Sequence, residues 1–330
     1  MTLRHFDGFD LGDVLIASEY SVAGGVSSYA STAFGYGRCI QIGTTTLKKA
    51  FPAATKVFSG CRILSVSSAG AIQFFGDSGA TLHITVSLDQ VGNLVIYRGA
   101  IGGTVLASTV ISPLSIWRYI EAAVTISDTV GTVEVHLDGS ATPILSFTGD
   151  TKNAGTNTTI DACALYGVNS GNSPYFDDWY VCDTAGTINN TFLGDVRVYT
   201  LAPNGAGNYT QFVPSTGSNY TCVDEQPYNT TDYVGSPTTG NRDSYALTDL
   251  PATVATVFGT SEIAVVEKSD AGAAAIKQSM RVGLTDYDTA ATNLATSWTS
   301  LRNLRETNPN TGVAWTAAGV NGAEMGVTVG

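Results

Sequence analysis

Two adjacent aspartates, Asp177 and Asp178, sit inside the strand-like stretch YFDDWYVCD (175–183) and form the sharpest acidic pair in the chain. Paired carboxylates suit glycoside hydrolysis, where two acids flank the scissile bond, about 5–5.5 Å apart for retention. Consecutive side chains of a regular strand point to opposite faces, so these two cannot share one acid/base task. The eight glutamates are dispersed, with Glu121 and Glu134 standing singly in strand-like segments. The sequence has no Ser/His/Asp nucleophile motif. Gly24-Gly25 and Gly35-Tyr-Gly37 lack the strand-to-helix context of a phosphate loop and read as turns. The chain is therefore expected not to be an enzyme.

The same acids have a second reading. Asp178 with Asp138 and Asp161, and Asn172 beside them, could hold a structural Ca²⁺ at a sheet rim, the one cofactor that needs considering. Calcium takes six to eight oxygens, and spacing alone does not assemble them. The plainer alternative is that Asp178 hydrogen-bonds a turn. Zinc is disfavoured: no CxxC occurs, and His5, His83 and His136 are the only histidines. Cys39, Cys61, Cys163, Cys182 and Cys222 are odd in number and widely spaced. They read as buried free thiols of a protein folded in a reducing cytoplasm. Trp117, Tyr119, Tyr175 and Trp179 are either a sugar-stacking platform or core. Trp117 and Tyr119 fall opposite the aliphatic Ile120/Val124 face, which keeps the platform open as a reading.

These residues are carried by alternating segments. Ile120, Val124 and Ile126 share one face; after the DTVG turn, Val133, Val135 and Leu137 share the next, and Asp138-Gly139 is a turn signal. Leu82, Ile84 and Val86 alternate with His83, Thr85 and Ser87. This is the pattern of antiparallel sheets with one buried face. Hydrophobic content of 43% supplies a core, while charged content of 13% is about half the usual ~25%. The net charge of −12 and the lack of a Lys/Arg cluster argue against nucleic acid and anionic membrane as partners. The N-terminal residues lack a hydrophobic signal core, and no apolar run reaches membrane-spanning length. The fold expected is all-β, with a sandwich over residues 1–201, a Tyr/Asn/Thr-rich linker or arm over 202–241, and a smaller β-sandwich over 242–330. Near the end, Thr316 is placed to cap one helical turn.

The ordered pieces His5-Phe-Asp-Gly-Phe-Asp10, Gly35-Tyr-Gly37, Cys39-Ile-Gln-Ile42, Trp117-Arg-Tyr-Ile-Glu121, His136-Leu-Asp-Gly139, Phe176-Asp-Asp-Trp-Tyr-Val181 and Leu193-Gly-Asp-Val196 resemble one family. Lys268-Ser-Asp-Ala-Gly272, Glu306-Thr-Asn-Pro309 and Trp315-Thr316 extend the likeness over nearly the whole chain. The family is the group of tailed-phage and prophage virion proteins with a concanavalin A-like (laminin G-like) sandwich. The resemblance implies a jelly-roll sandwich and a non-enzymatic structural role in the virion: capsid decoration, head or tail fibre, or tail accessory. It implies a homo-oligomer, a trimer before other symmetries, contacting other virion proteins and made in the bacterial cytoplasm without a signal peptide. The alternative is an adhesin that binds host surface glycan, and behind it a polysaccharide depolymerase. Fold does not fix function, so the virion role is analogy.

The arm carries Tyr209, Tyr220, Tyr228 and Tyr233, and tyrosine favours interfaces because it is apolar with a polar tip. These four are expected at subunit contacts. Tyr228→Ala combined with Tyr233→Ala should weaken assembly more than it lowers the melting temperature, which size-exclusion chromatography and thermal melts would compare. Normal assembly of the double variant would refute the reading.

Overall fold

A computed structural model describes residues 2–12, 19–22, 25–29, 37–65, 69–112, 115–168 and 173–330. Asn172, Gly24 and the Gly35-Tyr36 pair lie outside the described residues. The chain divides into two compact units, Met1–Val198 and Tyr199–Gly330. Both are built from antiparallel sheets, so the all-β expectation holds.

The first unit runs β1 (Leu3–Asp7), β2 (Ser21–Val22), β3 (Val26–Tyr29), β4 (Cys39–Ile42), β5 (Thr45–Ala54), β6 (Lys56–Leu64), β7 (Gly70–Gly76), β8 (Thr81–Leu88), β9 (Asn93–Arg98), β10 (Thr104–Val110), β11 (Arg118–Thr125), β12 (Gly131–Leu137), β13 (Leu145–Gly149), β14 (Ile160–Gly167) and β15 (Tyr175–Asp183). One sheet has eight strands, ordered β13-β12-β11-β6-β15-β4-β3, with β1 also paired to β15. The other has seven, ordered β10-β9-β8-β7-β14-β5-β2. Ile120, Ala122, Val124, Val133 and Val135 from the first sheet join Ile72, Phe74, Ile84, Val86, Leu94 and Ile96 from the second in one buried core. This is the two-sheet sandwich that the alternation predicts, because period-2 patterning gives each sheet one apolar face. Asp138 (φ 51°) and Gly139 (φ 72°) form the expected turn, closed by the Ser140 N–H donating to the Leu137 carbonyl at 3.0 Å. All five cysteines are buried and none forms a disulfide, as expected.

Two bulges redirect side chains that alternation misassigns. In β15 the pairing to β6 shifts between Asp177 and Tyr180, and Asp178 takes a left-handed φ of 51°. An extra residue in one strand reverses the alternation beyond it, so Trp179 enters the core while Tyr180 faces outward. Between β7 and β8 the register shifts at Phe74/Phe75. Leu82 thereby leaves the Ile84/Val86 face and joins Phe75, Ala162 and Ala164 in a small cluster on the other side of the seven-stranded sheet.

The second unit contains β16 (Pro203–Thr210), β17 (Val213–Pro214), β18 (Val234–Gly235), β19 (Arg242–Leu247), β20 (Thr260–Val266), β21 (Ala275–Val282), β22 (Thr285–Asp288), β23 (Thr292–Asn293), β24 (Thr299–Arg305), α1 (Ala317–Asn321) and β25 (Ala323–Val329). Its main sheet is β16-β19-β25-β21-β22, with β23 on β21 and a separate two-stranded β20–β24 sheet. Met280, Val282, Trp315, Val320 and Ala323 form its core. Thr316 caps α1 as expected, its side chain accepting from the Gly319 N–H at 3.0 Å.

The stretch read from sequence as an arm begins inside this unit. β16 pairs with β19, and buried Asp243 accepts from the Phe212 N–H (3.3 Å), Asn219 Nδ2 (2.8 Å) and the Tyr245 hydroxyl (2.7 Å). A buried carboxylate with several donors fixes the chain that supplies them. Low aliphatic content looked like a linker because β16 is an edge strand built from Gly, Asn and Thr, alternately half-buried and exposed.

Gly60 of β6 allows the outward side chains of the eight-stranded sheet to converge. A Cβ there would meet Tyr180 Cε1 at 2.5 Å and Glu121 Cγ at 2.9 Å. Gly60→Ala should therefore cost about 1–3 kcal/mol of stability, measurable by urea unfolding; an unchanged midpoint would contradict this packing.

Candidate functional site

The aromatic platform is not assembled. Tyr119 and Trp179 are fully buried, while Trp117 and Tyr175 are half-buried. The β15 bulge turns Trp179 into the core, where its Nε1–H donates to Ser59 Oγ at 2.9 Å and its ring stacks with Tyr20. Tyr119 does face outward, but its hydroxyl donates to the Asp178 carbonyl at 3.1 Å beneath a covering segment.

That segment, residues 184–198, is anchored over the outer face of the eight-stranded sheet by carboxylates. Glu121 Oε1 accepts from the Tyr180 hydroxyl (2.5 Å), the Leu193 N–H (3.1 Å) and the Gly194 N–H (2.9 Å). Asp178 accepts from Arg62 Nε (2.9 Å) and the Val198 N–H (2.8 Å), and Arg62 also pairs with Asp195. Phe192 packs between the rings of His136 and Phe58, with centroids at 4.0 and 5.2 Å. Sequence reasoning missed this strap because 192–201 alternates like a strand.

The proposed calcium ligands do not meet. Asp138, after β12, accepts from the Tyr119 N–H (2.9 Å) and Arg118 (2.6 Å). Asp161, on β14 of the other sheet, accepts from the N–H groups of Ser78 (2.7 Å) and Gly79 (2.8 Å). Asp178 is held by Arg62. Among the described residues no group of three or more His, Cys, Asp or Glu side chains is placed to hold a metal ion. Asp178 accepts from the Val198 backbone, and Asp138 and Asp161 likewise accept from backbone N–H groups.

Asp177 and Asp178 are both buried. Burial, then the neighbouring charge of Asp178, pushes the Asp177 carboxyl up to about 9, while burial raises Asp178 less. The donors decide the split. Asp178 has a guanidinium and the Val198 amide; Asp177 has the Asp178 N–H at 2.8 Å. Asp178 therefore carries the charge and Asp177 the proton at neutral pH. Perturbed carboxyl pairs also mark active sites; this pair lies under a strap, with its hydrogen bonds made within the fold.

The outer face of the seven-stranded sheet is different. Across β14, β7, β8 and β9 one row reads Ala164, Gln73, Thr85, Tyr97, and the next reads Tyr166, Ala71, Ser87, Val95. Ala71, Thr85 and Ser87 at the centre are short and buried, and Tyr97 and Tyr166 stand at two diagonally opposite margins, with Ala164 and Val95 at the other two, so the centre is recessed below the two tyrosines. Gln73 lies in it at 3% exposure, and its Oε1 is buried with no hydrogen-bond partner. Tyr97 and Tyr166 are half-buried, and among the described residues nothing bonds their hydroxyls. One end is closed: Lys48 Nζ lies 4.0 Å over the Phe75 ring and donates to the Gly79 carbonyl, while Asn153 donates to the Leu82 carbonyl and to His83 Nδ1. Burial lowers the His83 pKa, so its ring is neutral there. Arg98, beyond Tyr97, is paired with Asp150. The recess thus offers aromatic rings, hydroxyls and a carboxamide, with its neighbouring charges already engaged. The only sequence signal was one glutamine within the otherwise apolar GAIQFFG (70–76).

The interface tyrosines are placed separately. The Tyr209 hydroxyl donates to Asp286 Oδ2 at 2.7 Å, and its ring lies under Arg242 and Arg281, so it is engaged within the second unit. Tyr220 and Tyr228 are half-buried and Tyr233 is exposed. No helix among the described residues is long and apolar enough to cross a membrane.

No protein-family model matches the chain, and no curated protein matches it. Among solved structures it is similar to the carbohydrate-binding module CBM66 from Bacillus subtilis, at 9% identity and TM-score 0.35, covering 50% of this chain and 96% of that one. It is also similar to domain 4 of AbnA, a GH43 extracellular arabinanase from Geobacillus stearothermophilus in complex with arabinotriose (14%, TM-score 0.36, covering 55% and 92%). A tetrameric galectin from the sponge Cinachyrella sp. matches at 11% and TM-score 0.31, covering 42% and 99%. Similarity this low assigns no activity to the chain.

The acid pair gives a pH test. The folded pKa of Asp177 lies above its unfolded value, so between roughly pH 4 and 9 the native state binds more protons and stability falls as pH rises. Asp177→Asn mimics the protonated acid and removes that slope. Its melting temperature should gain on the wild type as pH increases from 5 to 9, by thermal denaturation in matched buffers; a gap that shrinks with pH would reverse the assignment.

Proposed function

We propose that the first unit is a non-catalytic carbohydrate-recognition module. It would bind a neutral, polyhydroxylated ligand on the outer face of the seven-stranded sheet. The observation that carries this reading is Gln73. A buried polar atom without a partner costs about 1–3 kcal/mol, and native interiors hold few of them. A ligand hydroxyl that displaced the side chains sealing Oε1 and donated to it would recover that cost on binding. Tyr97 and Tyr166 flank the carboxamide with rings for sugar C–H faces and free hydroxyls for hydrogen bonds. With Arg98 and Lys48 already engaged, an uncharged glycan suits the recess better than an acidic one.

The finer architecture is read as a concanavalin A-like jelly roll, followed by a smaller sandwich in the second unit. A second reading, a structural component of a tailed-phage virion, draws support from how completely the first unit's acids are spent on internal anchoring. Mass spectrometry of purified particles tests it: absence of the chain from intact virions would remove it. The readings are compatible, since a fibre or decoration protein can also bind glycan.

Gln73→Leu separates function from fold. Replacing an unpaired buried carboxamide by an apolar side chain of similar size should leave stability unchanged or raise it by about 1 kcal/mol. Affinity for a neutral glycan identified on an array should fall at least about tenfold, the equivalent of one lost hydrogen bond. Silence of the folded wild type across neutral glycans, or undiminished binding by the variant, would defeat the proposal.

A further inference from the structure

We propose that β10 is a self-association edge, pairing antiparallel with β10 of a second copy about a two-fold axis through Thr109. β10 borders the seven-stranded sheet and, among the described residues, pairs only with β9. At seven residues it is longer than the first unit's other edge strands β13, β3 and β2, which have five, four and two. Its sequence, TVLASTV, contains no charge and no proline, and none of its residues is fully buried. Val105 is 55% and Val110 70% exposed. Natural sheets guard such edges with lysine, proline or short length. Here the one guard is a bulge between Val105 and Ala107, which leaves Ala107–Val110 regular.

Backbone direction fixes the pairing. The Ile111 N–H donates to the Gly92 carbonyl at 2.9 Å, so Ile111 faces β9. By alternation Thr109 and Ala107 also face β9, while Ser108 and Val110 direct their N–H and C=O groups away from the sheet. An axis through Thr109 sets Ser108 opposite the second copy's Val110, and the reverse, so all four outward residues of the two strands are used. The bulge excludes an axis nearer Thr104, since the outward ladder is broken there. Because a two-fold juxtaposes a strand with itself, any charge on it would meet its like. An uncharged strand with a Thr–Thr pair at the axis meets no such repulsion. Val91, also exposed, sits in the β8–β9 turn beside Ile111 and adds apolar surface at the same end.

The axis stands perpendicular to the sheet, so both outer faces lie on one side of a continuous sheet. Seven strand spacings separate the two Gln73 positions, about 34 Å. If the glycan reading holds, the dimer presents two sites to one ligand-bearing surface and gains avidity. The pairing itself does not depend on that reading.

The test uses the full chain without glycan. Sedimentation should show a concentration-dependent dimer. Val110→Pro, which removes an outward N–H that β9 does not use, should give a monomer with the wild-type melting temperature. Thr109→Cys should form a disulfide-linked dimer on mild oxidation, because facing residues of such a pair have Cα atoms about 4.5 Å apart, within disulfide reach. Thr104→Cys, far from the axis, should not. The native thiols are all buried and should not interfere. A wild type that stays monomeric, a dimer that survives Val110→Pro, or equal cross-linking from both cysteines would each overturn the proposal. Loss of glycan binding with the dimer intact would count against the recess alone.

Discussion

The first unit depends on β15 being buried on both faces. Phe176, Trp179 and Val181 pack into the core between the sheets, while Asp178 and Tyr180 face the other way and are equally sealed from water. A strand in this position needs cover on both sides, and polar cover must be satisfied at every atom. The strap of residues 184–198 supplies the cover, and its N–H groups need acceptors. Glu121 and Asp178 are those acceptors; Arg62 then balances Asp178 and reaches Asp195 in the strap itself. Removing one member would leave another buried and unpaired, so the cluster stands or falls as a unit. The bulge belongs to the same device, since only with an extra residue can Asp178 meet Arg62 while Trp179 turns inward.

This explains why the chain's most suggestive acids and aromatics are held by contacts within the fold. Carboxylates with raised pKa values beside tyrosines look like an active site in sequence and in electrostatics. Here the perturbation comes from burial under the protein's own chain, and the hydrogen bonds run to backbone amides. The opposite outer face has the reverse character. Its acid, Asp161, is spent on a turn at the closed end, and its central carboxamide is left unpaired. Of the two outer faces, one is complete without a ligand and the other is not.

Much of the first unit was legible because period-2 alternation survives wherever strands are regular. Ile120, Val124, Val133 and Val135, the Asp138-Gly139 turn and the buried thiols are all where the pattern puts them. The Thr316 cap was legible for the same local reason. What alternation cannot register is a bulge, which is one residue out of phase and carries no fixed composition. The misplacement of Trp179 and of Leu82 both follow from that. The strap was missed because its alternating residues are satisfied by another strand's side chains and not by a ladder. Residues 202–241 were read as a linker or arm because Gly and Asn dilute the β signal of the edge strand β16 that begins the stretch. Gln73 was visible only as an odd letter, since what makes it informative is the absence of a donor, a property of the fold.

That absence also weighs on how the first unit can be stabilised. The strap cluster and the core leave little to improve, because their polar groups are paired and their apolar groups closely packed. Gln73 Oε1, like Thr45 Oγ1, Asp77 Oδ2 and His83 Nε2, is buried without a partner, and removal of its carboxamide should strengthen the native state. Sites kept against stability are where function and folding pull apart. The same logic applies to β10, where an edge that a lysine or proline would protect has been left uncharged. Both features lie on the seven-stranded sheet, and the edge lies one strand beyond Tyr97. The eight-stranded sheet, sealed by its strap, is the support; the seven-stranded sheet carries the unpaired carboxamide and the uncharged edge strand.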